Sequence, residues 1–171
     1  MIYLDNAATT PVAPQALEAA WPWLTSEFGN PSSTHELGHR ADQALENARQ
    51  QVAAWLECPA SDIVFTSGGT EGDNLAIIGL ALAQPRGKHI ISCATEHEAV
   101  LKSLEYLHNH HGFEITWLPV TAEGLISAND LTQSLRPDTT LVTLMVANNE
   151  IGTLHPLPEI IEAAHQVGAL V

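Results

Sequence analysis

The sequence predicts an α/β protein: a mostly parallel sheet with helices on both faces. Two patterns carry that expectation. From Asp62 onward, short apolar runs alternate with helix-length amphipathic segments, the order of crossover units in a parallel sheet. The run Leu141-Val142-Thr143-Leu144-Met145-Val146 is apolar almost throughout, as a strand covered on both faces is.

The elements follow in order. Residues 3–11 open with a short extended piece and become small and polar until Pro11. Pro14 suits the first turn of a helix through Leu17, Ala20 and Leu24. Phe28-Gly29-Asn30-Pro31-Ser32-Ser33 is a turn-rich loop, and Ser33 with Glu36 has capping-box spacing for the next helix. There Ala41, Leu45, Ala48, Val52 and Trp55 recur at steps of four and three as one apolar stripe. Residues 63–65 read as a strand, then a Gly68-Gly69 turn and a helix to about Ala83. Strands are expected at 89–93, 114–118 and 141–146. Helices are expected at 98–110, from near Ser127, and at 158–167. Gly168 reads as a helix cap, and Ala169-Leu170-Val171 as the first half of a buried strand, as if the chain stopped within it. An N-terminal arm and helix over residues 1–30 would precede one larger unit over 31–171.

Bulk properties narrow the partners. The chain has 171 residues, 45% apolar and 15% charged, with 20 acidic against 6 basic side chains and a net charge of -14. That balance excludes a nucleic-acid backbone as a natural ligand. A small anion would have to be held by backbone dipoles and hydroxyls. The two cysteines, Cys58 and Cys93, show no short paired spacing, so no disulfide framework is expected and a reducing cytoplasm fits. No signal peptide is expected, and no apolar run approaches the ~20 residues of a membrane span.

In a parallel sheet the ligand crevice lies at the carboxyl ends of the strands. After residue 65 comes Ser67-Gly68-Gly69-Thr70-Glu71; after Cys93, Thr95-Glu96-His97; after Val146, Asn148-Asn149-Glu150. The glycine turn opens a helix, where unpaired N–H groups and the helix dipole make an anion site. Gly68 and Gly69 would let the backbone turn tightly and a phosphate come close, and Thr70 adds a hydroxyl. By itself the pair is an ordinary βα turn; its alignment with the other two makes it a phosphate cradle. His97 reads as a ring that stacks on a flat cofactor, against a simple helix-start histidine. The Asn148-Asn149-Glu150 turn supplies amides for a ligand's ring substituent, or a plain turn. His108, His110 and His111 read as solvated side chains at a helix end, and no metal is expected. Cys58 and Cys93 read as structural, having no basic neighbour to activate them.

Together these motifs resemble the N-terminal part of a cysteine desulfurase of the NifS/IscS-like type, in the class V aminotransferase family. The resemblance rests on Tyr3 through Pro11, on the 28–33 loop with His35 and Gly38, and on Phe65 through Glu71 with Asn74. It extends to Thr95-Glu96-His97 with Ala99 and Val100, and to Asn148-Asn149-Glu150-Ile151-Gly152 with Pro156. It implies the large domain of the aspartate-aminotransferase-like (type I) fold, in part, with pyridoxal 5'-phosphate as cofactor. It implies conversion of L-cysteine to L-alanine, with persulfide sulfur passed to an acceptor or iron–sulfur scaffold protein or to thio-modified tRNA, and a homodimer in the full-length form. By motif, Gly69 and Thr70 would bind the cofactor phosphate. His97 would stack on the ring and move protons, and Asn149 would bond near the ring hydroxyl. The family's strand aspartate, cofactor-binding lysine and persulfide cysteine have no counterpart among these residues, whose only lysines are Lys88 and Lys102. The chain alone is therefore expected to be inactive. A non-catalytic or split-enzyme subunit and another class V activity, such as selenocysteine lyase, are the alternatives.

Overall fold

The computed structural model describes residues 1–83 and 86–171. The chain gathers into two compact units, Met1–Phe65 and Thr66–Val171.

The first unit is helical. Helix α1 (Pro14–Thr25) starts with a proline in its first turn, where the missing N–H costs nothing. Helix α2 (Glu36–Leu56) starts two residues after the capping box expected of Ser33. Its N-cap is His35, whose ring accepts a hydrogen bond from the Gly38 N–H at 3.3 Å. With Glu36 as the first helical residue, Ser33 lies too far back to cap. Its carbonyl instead presses on Gly38, where a Cβ would stand only 2.2 Å from the Ser33 oxygen. The expected apolar stripe of α2 is not its buried face. Only Gly38 and Ala53 are buried, and Trp55 is 82% exposed.

Residues 63–65 do not form the expected strand. They have no ladder partner among the described residues. The Ile63 carbonyl accepts from the Arg49 guanidinium, which also lies 5.1 Å from the centre of the Phe65 ring.

The second unit is a three-layer α/β/α arrangement. Strands β1 (His89–Cys93), β2 (Glu114–Leu118) and β3 (Thr139–Val142) form an open parallel sheet in the order β2-β1-β3. Alternate side chains of each strand go to opposite faces. Ile90 and Leu141 pack with Ile77 and Ala81 of α3 (Gly69–Ala83) and with Val100, Leu104 and Leu107 of α4 (Glu98–His111). Ile91, Cys93 and Val142 pack on the other face with Leu131 of α5 (Ala128–Ser134) and with Ile160 and Ala164 of α6 (Leu157–Gln166). Leu170 adds a parallel bridge to Leu141, where the half strand was expected.

Two departures shape the sheet. Strand β3 starts two residues before the expected 141–146 run and ends four residues sooner. After Val142, one more bond joins Thr143 N–H to the Ile91 carbonyl at 2.9 Å, and then the Met145 N–H turns to the side chain of Glu96. The β1–β3 register also slips between His89 and Ile90, leaving Thr140 as the extra residue. Its hydroxyl is satisfied by the Gly87 backbone, accepting at 3.1 Å and donating at 2.9 Å. At the amino edge of the sheet, His89 is fully buried and its two ring nitrogens lie 2.8 Å from the hydroxyls of Thr139 and Thr116. One imidazole thereby ties three strands.

Candidate functional site

The glycine turn is open, but not for the reason its composition suggested. Neither Gly68 nor Gly69 has a positive φ, and a Cβ on either would meet nothing within 4 Å. The turn does not demand glycine conformationally; it leaves room above the backbone. The first bond of α3 runs from the Gly72 N–H to the Gly68 carbonyl at 3.1 Å. The N–H groups of Gly69, Thr70 and Glu71 precede that bond and have no acceptor among the described residues. Asn74 donates to the Thr70 carbonyl at 2.8 Å, fixing the first turn from behind. The Glu71 carboxylate accepts from the Ser67 hydroxyl at 2.5 Å and the Ser67 N–H at 2.7 Å, which hold its pKa below the usual carboxylate range.

His97 is the N-cap of α4. Its Nδ1 accepts the Ala99 N–H at 3.1 Å. An accepting Nδ1 puts the proton of the neutral ring on Nε2, so the exposed side of His97 offers a ring face and an Nε2–H donor. The two sequence readings of His97, a helix-start residue and a ring available to a ligand, are compatible in one conformation.

The turn after β3 divides its work between two adjacent amides. Asn148 is buried. Its Oδ1 accepts the N–H groups of Glu150 at 2.9 Å and Ile151 at 3.1 Å, and its Nδ2 donates to the Thr95 carbonyl at 3.1 Å. Asn149 is exposed and, among the described residues, its Nδ2 donates only to the neighbouring Glu150 carboxylate, at 2.9 Å.

Glu96 is the residue the sequence reading passed over. It is 8% exposed, its Oε1 accepts the Met145 N–H at 2.7 Å, and the Cys93 thiol points at the same oxygen from 3.7 Å. Burial pushes its carboxyl above the usual range. The Met145 N–H and the thiol oppose that, Asp73 of α3 adds to it, and His97 weakly opposes it. Glu96 therefore lies within electrostatic reach of α3, of the β1 turn and of the β3 turn. The turns carrying His97 and Asn149 are joined directly by hydrogen bonds. Among the described residues, no hydrogen bond joins Gly69 or Thr70 to either of them.

The remaining candidates lie elsewhere. Cys93 is fully buried and burial pushes its thiol pKa up, the opposite of an activated nucleophile. Lys88 donates to the His111 carbonyl at 2.7 Å, at the amino end of β1. Lys102 pairs with Glu105 at 2.7 Å on the exposed side of α4. Arg136 binds Asp138 and Glu114 at the amino edge. No group of three or more His, Cys, Asp or Glu side chains placed to hold a metal occurs among the described residues, His108, His110 and His111 included. A groove of about 410 Å³ between α4 and β2 is lined by Leu101, Leu104, His108 and Trp117, and none of the residues proposed for an anion lines it.

A parallel α/β/α unit with an open helix start and two tied polar turns at strand ends has the architecture of the NifS-like desulfurases. A solved NifS-like protein superposes with a TM-score of 0.91 at 35% identity, over 98% of this chain and 46% of that one. SspA, solved in complex with cysteine, superposes with a TM-score of 0.91 at 39% identity, over 99% of this chain and 49% of that one. The chain belongs to the class V aminotransferase family, whose model matches residues 2–171. Among curated relatives, the cysteine desulfurase IscS of Methanosarcina thermophila is 47% identical over 166 residues, 96% of this chain and 41% of that protein. The chain thus spans about two-fifths of the length of the curated relatives it matches. No helix among the described residues is long and apolar enough to cross a membrane.

Proposed function

We propose that these residues form the cofactor-holding part of a pyridoxal-phosphate-dependent cysteine desulfurase. The observation that carries the reading is the set of three donors at the start of α3, open above two glycines, in the same unit as the tied His97 and Asn149 turns. Such a site fits a phosphate on a flat ring. The N–H groups of Gly69, Thr70 and Glu71 and the Thr70 hydroxyl would hold the phosphate, with the dipole of α3 behind them. No lysine or arginine is needed, and the basic residues Arg86, Lys88 and Arg136 gather at the opposite edge of the sheet. When bound, pyridoxal phosphate supplies an electron sink for charge developing on an amino-acid substrate. His97 would lie against the ring, its Nε2–H a donor turned toward the ligand. Asn149 would turn its amide to the ring hydroxyl.

The lysine that carries the cofactor covalently, and the thiol that accepts sulfur from L-cysteine, would come from residues beyond these 171. Lys88 and Lys102 lie away from the three turns, and Cys93 is sealed in the core. The test is fluorescence titration of the purified protein with pyridoxal phosphate, with inorganic phosphate as competitor. Saturable binding that Thr70→Ala weakens about tenfold, the loss of one hydrogen bond to a charged group, supports the proposal. Binding that is absent, or indifferent to both Thr70→Ala and phosphate, refutes it. The 171-residue chain mixed with L-cysteine, cofactor and a reductant is expected to yield no sulfide. Turnover that follows the purified chain would overturn the assignment of the covalent groups to other residues.

A further inference from the structure

Two buried polar side chains stand directly beside the proposed cofactor contacts, Glu96 and Asn148, each 8% exposed. They stand on different turns and each crosses to the other. Glu96, from the turn after β1, accepts the Met145 N–H, three residues past the end of β3, at 2.7 Å. Asn148, from the turn after β3, donates to the Thr95 carbonyl after β1 at 3.1 Å. Each is one residue before a proposed cofactor contact: Glu96 before His97, Asn148 before Asn149. Asn148 also shapes its own turn through its Oδ1, and His97 is fixed by the Ala99 N–H.

We propose that Glu96 and Asn148 are positioning residues, a reciprocal clasp that sets the spacing of His97 and Asn149 and so the geometry in which a flat cofactor is held. The inference rests on the pyridoxal-phosphate reading. The physical argument is one of preorganisation. The proposed ring contacts are two exposed side chains on separate turns, and a ligand that spans them binds well only if their separation is fixed in advance. Two bonds, each donated from the β3 side to an acceptor on the β1 side but one to a side chain and one from a side chain, resist both sliding and opening of one turn against the other, which a single bond does not. Burial strengthens both bonds and makes the loss of either partner expensive. Cys93 closes the clasp from beneath, 3.7 Å from the Glu96 oxygen.

The variants separate the clasp from a merely structural role. Glu96→Gln keeps an oxygen for the Met145 N–H, whereas Glu96→Ala does not. Asn148→Asp keeps the turn-shaping oxygen but sets a second oxygen against the Thr95 carbonyl. Cofactor affinity by fluorescence and the induced visible circular dichroism of the bound cofactor are read alongside cofactor-free unfolding. Glu96→Ala, Asn148→Ala and Asn148→Asp are each expected to lose about tenfold in affinity and most of the induced signal. Glu96→Gln is expected to restore both, and the double alanine variant to lose less than the two single losses combined. Affinity and signal retained in the folded alanine variants would overturn the clasp. So would losses in every variant, Glu96→Gln included, that merely track stability. A second readout needs no cofactor. In amide exchange, Glu96→Ala should speed the Glu150 and Ile151 amides across the clasp at least tenfold as well as Met145, and acceleration confined to Met145 overturns the inference. Failure of the wild-type protein to bind pyridoxal phosphate would count against the cofactor reading alone, and the exchange result would still decide the clasp.

Discussion

Gly69→Ala is expected to stabilise the protein and leave cofactor affinity nearly unchanged. The backbone at Gly69 lies outside the left-handed region, and the added methyl would meet no atom within 4 Å. Alanine loses less conformational freedom on folding than glycine, worth about 0.5–1 kcal/mol inside a helix, and a first-turn position takes the lower part of that range. In a chain of this size that is a rise of about 1–2 °C in unfolding temperature. The proposed phosphate contacts are N–H groups and the Thr70 hydroxyl, which the methyl leaves in place. Gly87 provides the opposite case. A Cβ there would stand 2.4 Å from the Asp138 carbonyl oxygen and 2.5 Å from the Asp138 Cβ, so Gly87→Ala should destabilise by about 1–3 kcal/mol. The assay is thermal unfolding followed by circular dichroism without cofactor, then fluorescence titration with pyridoxal phosphate. A fall in stability for Gly69→Ala, or a drop of tenfold or more in affinity, would refute the reasoning, because either would mean that position 69 needs glycine itself.

His97→Ala should cost about 1 kcal/mol of stability through loss of the α4 cap as well as weakening cofactor binding, whereas His97→Asn should restore the stability and not the binding; denaturant titration beside cofactor titration separates the two. Burial, with Arg136 adding to it, holds His89 below the ordinary histidine value of 6.5, and burial does the same to His155. Because the unfolded chain takes up these protons first, their contribution is complete above pH 6.5 and is lost as the pH falls from there through the folded-state values. Unfolding free energy in urea should therefore decline on acidification below 6.5, and His89→Gln should flatten that slope. Glu96 has the opposite sign: its raised carboxyl pKa makes its contribution full below the ordinary value of 4.5 and lost as the pH rises through the folded-state value, so Glu96→Gln should gain stability relative to wild type toward pH 7. Leu104, fully buried between α4 and the sheet, should cost about 3 kcal/mol or more as alanine, read from the urea midpoint at unchanged slope.

Periodicity located most of the second unit. The α4 stripe of Val100, Leu104 and Leu107 is buried as its spacing implies, Gly112 ends that helix in the left-handed region, and β1 and β2 fall where their apolar runs lie. The failures have local causes. Residues 63–65 have the apolar content of a strand, but strand formation needs a neighbour, and composition does not say whether one is beside them. The β3 run stays apolar past the point where pairing stops, because a side chain, Glu96, captures the Met145 N–H that a longer ladder would have used. His35 replaces Ser33 as the α2 cap because the helix start is set by the Ser33–Gly38 approach, a contact between residues that hydropathy does not register. In the candidate site, the turns were legible and the roles of adjacent residues were not. Glu96 beside His97, and Asn148 beside Asn149, differ only in which side chain points inward, and turn sequences carry no repeat from which to infer direction. The cue available was chemical: a carboxylate one residue from a helix cap, and two successive amides in one turn.

The crossed bonds of Glu96 and Asn148 link residues 49 and 53 positions apart in the chain. They can form only when β1 and β3 have met in one alignment. A slip of one residue would displace the partners by about 3.3 Å and turn each side chain to the other face, breaking both bonds at once. The alignment is already irregular at Thr140, where an apolar ladder alone would tolerate a shift. Seen as a folding device, the pair checks registration: a sheet assembled one step out of phase would bury a carboxyl and an amide without partners and would be rejected before the two turns could present anything to a ligand.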